Sequence, residues 1–259
     1  MRFLGQQPPY DLTYNDVFMV PSLSQVPSRF DVDLTTPDQL GTTIPVVVSN
    51  MTAVAGRRMA ETVARRGGLT VLPQDIPLDI IDSVIQYVKT RHLVYDTPIT
   101  LNGSNTVGDA LGLIHKRAHG AVVVIDSDGR PEGIFTEHDA VGFDRFTQLQ
   151  HAMSRELVVI KDGADASEIY ERLSDVRLSV APVVDGDGRL VGCVTRKGAL
   201  RSTFYTPAVD KAGRLLIAAA VGINGDPAAK AKGSRARSTS SPGVPSGSAL
   251  SSSSTTWAS

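Results

Sequence analysis

Asp126-Ser127-Asp128-Gly129-Arg130, followed by Gly133-Ile134-Phe135-Thr136, is written again 59 residues later as Asp185-Gly186-Asp187-Gly188-Arg189, followed by Gly192-Cys193-Val194-Thr195. The offset is the same at every anchor, so the two copies align without a gap. A repeat of this kind delimits a folded unit before any secondary structure is assigned. Each copy opens with an amphipathic helix, carrying Val107, Leu111 and Ile114 in the first and Ile169 and Leu173 in the second. An apolar strand follows, Ala121-Val122-Val123-Val124-Ile125 and Val180-Ala181-Pro182-Val183-Val184. Asp128-Gly129 and Asp187-Gly188 then predict a hairpin turn into a second strand, residues 132–135 and 190–194. Thr136 and Thr195 stand where a short helix begins and a hydroxyl can cap free N–H groups. Neither copy is large enough to bury its sheet alone, so the two are expected to pack together.

The flanks carry a different pattern. Residues 42–49 predict a strand buried on both faces. A helix over residues 56–66 follows, with Met59, Ala60, Val63 and Ala64 inward and Gly67-Gly68 closing it. Leu69-Thr70-Val71-Leu72 is a second strand, and residues 76–90 a second helix with Ile80, Ile81, Val84, Ile85 and Val88 inward. After the repeat, residues 215–221 predict a third buried strand. Alternating strands and helices imply parallel β/α units, with the repeat inserted between the second helix and the third strand.

Composition fits a soluble globular protein: 41% of the 259 residues are hydrophobic and 20% charged. A formal net charge of −1 gives no electrostatic case for nucleic acid or an anionic membrane. No apolar run is long enough to span a bilayer, and the N-terminal residues lack the apolar stretch of a secretion signal. One cysteine excludes an intrachain disulfide and any cysteine-based zinc site. These features imply a cytoplasmic protein.

Residues 93–203, with Gly133-Ile134-Phe135-Thr136-Glu137-His138-Asp139 and the two Val-Val-Asp or Val-Ile-Asp turns, resemble a tandem CBS pair, or Bateman module (about 93–149 and 150–203). The resemblance implies that Thr136 contacts a nucleotide phosphate and Asp139 the ribose hydroxyls, with Thr195 in the matching place of copy two. Copy two departs from the pattern, because Gly198 stands where the acid would be. One competent adenine-nucleotide site is therefore expected rather than two. The plain alternative is that Thr136 and Asp139 only cap a helix.

The flanks resemble the IMP dehydrogenase/GMP reductase family. Leu12-Thr13-Tyr14-Asn15-Asp16-Val17-Phe18-Met19-Val20-Pro21 looks like its N-terminal hairpin. Ile44-Pro45-Val46-Val47-Val48-Ser49-Asn50-Met51-Thr52-Ala53-Val54 looks like its first barrel strand and loop. Tyr205-Thr206-Pro207 and residues 217–225 look like the third strand and its approach. The wording from Asn50 to Thr62 is closest to an actinobacterial branch of the family that has been assigned to GMP reduction. The resemblance implies an incomplete (β/α)8 TIM barrel: residues 1–92 as its opening part, the CBS pair inserted, and residues 204–232 as the third strand region. It further implies that Ser49 and Met51 contact a purine nucleotide, with NADP or NAD as cofactor. Their bland alternatives are a turn-capping serine and a core methionine. Intact relatives form homotetramers, an assembly this chain is not expected to reach.

The family's chemistry runs through a cysteine thiolate bonded to purine C2. The sole cysteine, Cys193, lies in the second strand of copy two and reads as a small buried residue, so no catalytic residue is assigned. Residues 233–259 turn serine-rich, the composition of a disordered tail. A reading-frame shift near Lys232 accounts for it, since valine codons read one base later become serine codons; a natural serine-rich tail is the alternative. His115 and His119 share a helix face but find no third metal ligand at suitable spacing. Arg57-Arg58 and Arg65-Arg66 read as solvated. The expected function is a truncated purine nucleotide oxidoreductase, GMP reduction favoured over IMP oxidation and inactive as it stands. The alternative is a nucleotide-binding CBS module without catalysis.

Overall fold

The computed structural model describes residues 5–176, 179–222, 227–228 and 231. The serine-rich stretch 233–259 lies outside them. The chain divides into two units, residues 1–33 and 34–259.

The first unit has two short 3-10 turns among its described residues, Tyr14–Asp16 and Arg29–Asp31. Thr13 and Asp16 form a reciprocal capping box. The Thr13 N–H and hydroxyl both donate to the Asp16 carboxylate, at 2.8 and 2.7 Å. This local pairing turns the chain where a hairpin is expected from the sequence, and no strand forms among residues 5–33.

Among the described residues of the second unit, nine strands form three separate three-stranded sheets. The flanks build one of them. Strands β1 (Val47–Val48), β2 (Leu69–Leu72) and β9 (Ala218–Ala219) pair in parallel in the order β1-β2-β9, as the alternation of elements predicts. Helices α1 (Arg57–Arg65) and α2 (Leu78–Lys89) cover it. Ala60, Ala64, Val88 and Leu215 pack in one cluster, Leu72, Ile81 and Ile85 in another.

Three expectations are corrected here. The first strand is two residues long and sits at the sheet edge, and Val47 is 61% exposed rather than buried on both faces. Ile80 points outward while Ile81, Ile85 and Val88 point in. On α1 the buried face carries Ala60, Glu61, Ala64 and Arg65, with Met59 turned toward solvent. Two alanines leave space above the sheet that a charged pair fills.

The repeat builds the other two sheets, β3 (Ile99–Asn102), β4 (Ala121–Ile125) and β5 (Pro131–Thr136), then β6 (Ile160–Lys161), β7 (Val180–Val184) and β8 (Leu190–Thr195). Both have a parallel pair followed by an antiparallel pair. Val122 faces Phe135 in the first and Ala181 faces Val194 in the second, and each sheet has a register shift at the same place. Helices α3 (Val107–Ile114) and α5 (Ala166–Asp175) precede the central strands; α4 (Leu149–Ala152) and α6 (Arg196–Ser202) complete the set. The hairpins close through a longer turn than Asp-Gly alone. Asp126 accepts from the N–H groups of Asp128 and Arg130, and Asp185 from those of Asp187 and Arg189. Asp210 accepts in the same way from Ala212 and Arg214, so Asp210-Lys211-Ala212-Gly213-Arg214 forms this turn a third time, before β9.

The copies interlock through the segments that lead into them. Asp96, ahead of copy one, exchanges two backbone hydrogen bonds with Cys193 on β8 of copy two, at 2.8 and 2.9 Å. Ser154, ahead of copy two, exchanges two with Ile134 on β5 of copy one, both 2.9 Å. Each lead-in thus completes the sheet edge of the other copy. Ala121, Val180 and Cys193 form the apolar contact between them.

This crossing explains the repeated glycine. A Cβ on Gly192 would lie 2.7 Å from Tyr95 Cβ, and one on Gly133 would lie 2.8 Å from Met153 Cγ. Tyr95 Cβ is fixed to its backbone, and on the Gly133 side the Ser154 carbonyl, 3.0 Å from the added Cβ, stays in place even when the Met153 side chain rotates away. Gly192→Ala and Gly133→Ala are therefore each expected to cost about 2 kcal/mol. Urea unfolding midpoints of the two variants provide the check; an unchanged midpoint in either would show that its lead-in yields.

Candidate functional site

Because β1, β2 and β9 are parallel, their C-terminal ends share one edge, where parallel α/β sheets bind ligands. Ser49 and Met51 follow β1 at this edge. The chain folds back there: the Met51 N–H donates to the Ser49 carbonyl at 2.8 Å, and the Val54 and Ala55 N–H groups donate to the Met51 carbonyl at 3.0 and 2.8 Å. The turn presents both side chains outward, with Met51 56% exposed, so Met51 is not a core residue. Among the described residues the Ser49 hydroxyl has no hydrogen-bond partner, so it caps no turn. One hydroxyl and one thioether suit the edge of a purine nucleotide. They give a dinucleotide no phosphate cradle, and no residue is assigned to a nicotinamide cofactor.

A second gathering of polar groups lies where the flanking sheet meets the repeat, and the sequence reading did not find it. Glu61 on α1 is fully buried. Its carboxylate accepts from Arg65 Nη2 at 3.1 Å, Thr97 Oγ1 at 2.5 Å, Tyr87 Oη at 3.2 Å and Arg117 Nη1. Arg117 also donates to Tyr87 Oη at 2.6 Å. Arg65 reaches the His92 carbonyl at 2.9 Å and is itself buried, so it is not the solvated residue its sequence context implies. The signal that marks this cluster is Glu61 and Arg65, four apart on a helix face otherwise made of alanines. Burial opposes ionisation of Glu61, but Arg65, Thr97 and Arg117 outweigh it and hold the carboxyl below its ordinary value.

Beside this cluster a cavity of about 470 Å³ opens between α1 and copy two. Thr195 lines it and caps α6, accepting from the Gly198 N–H at 2.8 Å. Thr136 and Asp139 sit elsewhere, beyond β5, and are brought together. The Thr136 N–H and hydroxyl both donate to the Asp139 carboxylate at 2.7 Å. A 3-10 turn, His138–Ala140, follows, and the hydroxyl that was expected to cap a helix serves Asp139 instead. His119 is held by backbone: Nδ1 accepts from the Ala121 N–H and Nε2 donates to the Thr97 carbonyl, both at 3.3 Å. Burial lowers its pKa and keeps it neutral. No helix among the described residues is long and apolar enough to cross a membrane.

A three-stranded parallel sheet with helices against it, and a long duplicated segment inserted between its strands, define the class: an α/β protein whose ligand edge lies at the C-terminal ends of the strands. The family model described as the IMP dehydrogenase / GMP reductase domain matches residues 11–237, and the chain belongs to that family. It is 56% identical over 233 residues to a GMP reductase of Mycobacterium tuberculosis, covering 90% of this chain and 48% of the relative. Identity to an inosine-5'-monophosphate dehydrogenase of Nitrosopumilus maritimus is 31%, over 83% of this chain and 46% of that one. Among solved structures, GMP reductase from Trypanosoma brucei in complex with guanosine 5'-monophosphate superposes with a TM-score of 0.60 at 27% identity, covering 88% of this chain and 50% of that one. Its complex with guanosine 5'-triphosphate gives a TM-score of 0.59 at 27% identity, over 88% and 57%. The chain spans about half the length of the relatives it matches.

The buried carboxylate makes a pH-dependent prediction. A depressed folded-state pKa contributes stability that is present above the unfolded value, about 4.3, and lost as pH falls through the lower folded one. Glu61→Gln is expected to cost about 3 kcal/mol at neutral pH, because Arg117 and Arg65 lose their charge partner. The difference from the parent should shrink in acid. Thermal melts across pH 3–7 test this, and a gap that widened in acid would contradict it.

Proposed function

We propose that this chain comes from a purine nucleotide oxidoreductase that reduces GMP to IMP with NADPH. The observation carrying this reading is the identity of 56% with GMP reductases, against 31% with inosine-5'-monophosphate dehydrogenases, over nearly the same residues. Ser49 and Met51 would hold the purine nucleotide at the strand-end edge, the hydroxyl toward a phosphate or sugar oxygen and the thioether against the base. IMP oxidation with NAD is the second reading, supported by those same dehydrogenase matches. A cytoplasmic location accords with either.

Cys193 takes no part in that chemistry. It is fully buried, its Sγ lies 3.5 Å from the Asp96 carbonyl, and burial pushes its thiol far above the ordinary value. A thiol held protonated in an apolar contact is no nucleophile. In this proposal Cys193 is a packing residue, and no catalytic thiol is assigned among the described residues.

Residues 93–203 form a CBS pair in this proposal. Identical strand order and register in the two copies support it. Asp139, held by Thr136, would accept the ribose hydroxyls of an adenine nucleotide at copy one.

Incubation with GMP and NADPH, or with IMP and NAD, should leave nicotinamide absorbance unchanged, equally in Cys193→Ala. Turnover lost in Cys193→Ala would overturn the assignment of that thiol. GMP titration should show binding weakened about tenfold by Ser49→Ala, the loss of one hydrogen bond to a charged group; an unchanged affinity would remove Ser49 from the site.

A further inference from the structure

A groove of about 950 Å³ runs between the start of α1, the turn after β1 and the end of α3. It shares Thr62, Thr97 and Arg117 with the cavity lined by Thr195 and is otherwise separate from it. Arg57, Arg58 and Lys116 line it, all three exposed. Two of these cations are held in place. The Arg57 guanidinium lies 5.0 Å from the centre of the Tyr87 ring, and Arg58 Nη1 donates to the Lys116 carbonyl at 2.5 Å. The second contact draws one cation onto the residue that carries another. Among the described residues, none of the three is paired with an acid. Arg117 lines the groove too, but Glu61 meets its charge. No aspartate or glutamate is among the described residues that line it.

Like charges gathered by fixed contacts repel one another, and the cost is lifted when an anion joins them. The helix adds to that cost. The first turn of α1 holds no acid, and its two arginines stand where the helix dipole is already positive. The walls narrow the kind of anion. Tyr87, the ring that lines the groove, is already engaged by Arg57 and by Arg91, whose guanidinium lies 4.4 Å from its centre. A nucleobase therefore finds no free ring to stack on. Thr52 and Thr62 add hydroxyls, and Pro98, Ile99 and Leu113 a short aliphatic wall. A guanidinium fork meets phosphate oxygens two at a time, and an ammonium serves a further phosphate as a point charge.

We propose that this groove binds a compact ligand with two phosphate groups and no nucleobase, held by Arg57, Arg58 and Lys116. Free pyrophosphate and a sugar bisphosphate share that chemistry. The site also bears on the substrate edge. Thr52, Ala53 and Val54 line the groove and follow Met51 directly, and the Val54 and Ala55 N–H groups close the turn on the Met51 carbonyl. A bound anion steadies the turn that presents Ser49 and Met51, and so favours GMP. This link rests on the proposed purine-binding role of those two residues, whereas the anion site does not.

Calorimetric titration of the full chain tests the site. Pyrophosphate should bind, inorganic phosphate about tenfold more weakly because it reaches fewer of the cations, and both affinities should fall as salt rises. Malonate, a dicarboxylate of similar span, should not bind. Fructose 1,6-bisphosphate binding tighter than pyrophosphate would assign the groove to a sugar carrier, and the reverse order to free pyrophosphate. Arg57→Ala and Lys116→Ala, at exposed positions that leave the fold intact, should each weaken pyrophosphate about tenfold. Ser49→Ala and Lys197→Ala should leave it unchanged. The site is overturned if neither phosphate ligand binds, if malonate binds equally, or if Lys197→Ala abolishes binding that Arg57→Ala and Lys116→Ala leave intact. Saturating pyrophosphate should tighten GMP about fivefold. GMP binding that Ser49→Ala weakens but pyrophosphate does not move would overturn the link alone. Absence of GMP binding would overturn the reading of Ser49, and the link with it, while pyrophosphate binding still decides the anion site.

Discussion

The Glu61 carboxylate holds together parts of the chain that are far apart in sequence. It stands on α1 and accepts from Arg117 after α3, from Thr97 on the lead-in to copy one, and from Tyr87 on α2. A charge taken fully out of water is tolerated only where donors surround it, and here four side chains do so. The insertion is thus joined to the sheet by a saturated polar node, while the apolar clusters stay within each part. Such a joint is directional. It fixes the orientation of the insert more sharply than an oily contact of the same size would.

Inside the insert the same economy is met with backbone. Each lead-in segment pairs with the strand of the other copy, and the glycine that opens each Gly-x-x-Thr stretch exists to let that segment pass. A duplicated sequence has become a structure in which neither copy is self-sufficient. The crossing also sets Asp96 and Cys193 side by side, which buries the one thiol of the chain and keeps it protonated.

Much of this was legible in the residues. The offset of 59 gave the two αββ units and their equal register, since identical apolar spacing demands identical pairing. The β/α alternation gave the parallel sheet. The wording around Ser49 and Met51 pointed to the family, and the structure places both side chains outward at the strand ends. What stayed hidden depends on partners distant in sequence. Arg65 looks solvated beside Arg66 until Glu61, His92 and Thr97 are seen around it. Asp96 belongs to no motif, because its place is set by a strand crossing. Residues 42–49 carry the composition of a central strand, yet Val47 has a neighbour on one side only. The turn at Asp210 repeats Asp-x-x-Gly-Arg ahead of the apolar run 215–221, but no apolar strand of matching length precedes it, so it does not read as a third copy of the hairpin.

The exchange of lead-ins bears on how this architecture can be lost or made. A single copy released from its twin would present an unfilled strand position together with the segment that fills it in another molecule. Two such fragments would satisfy each other, giving a dimer whose halves have traded arms. Fusion of two such arms-exchanged protomers into one polypeptide would produce the arrangement seen here.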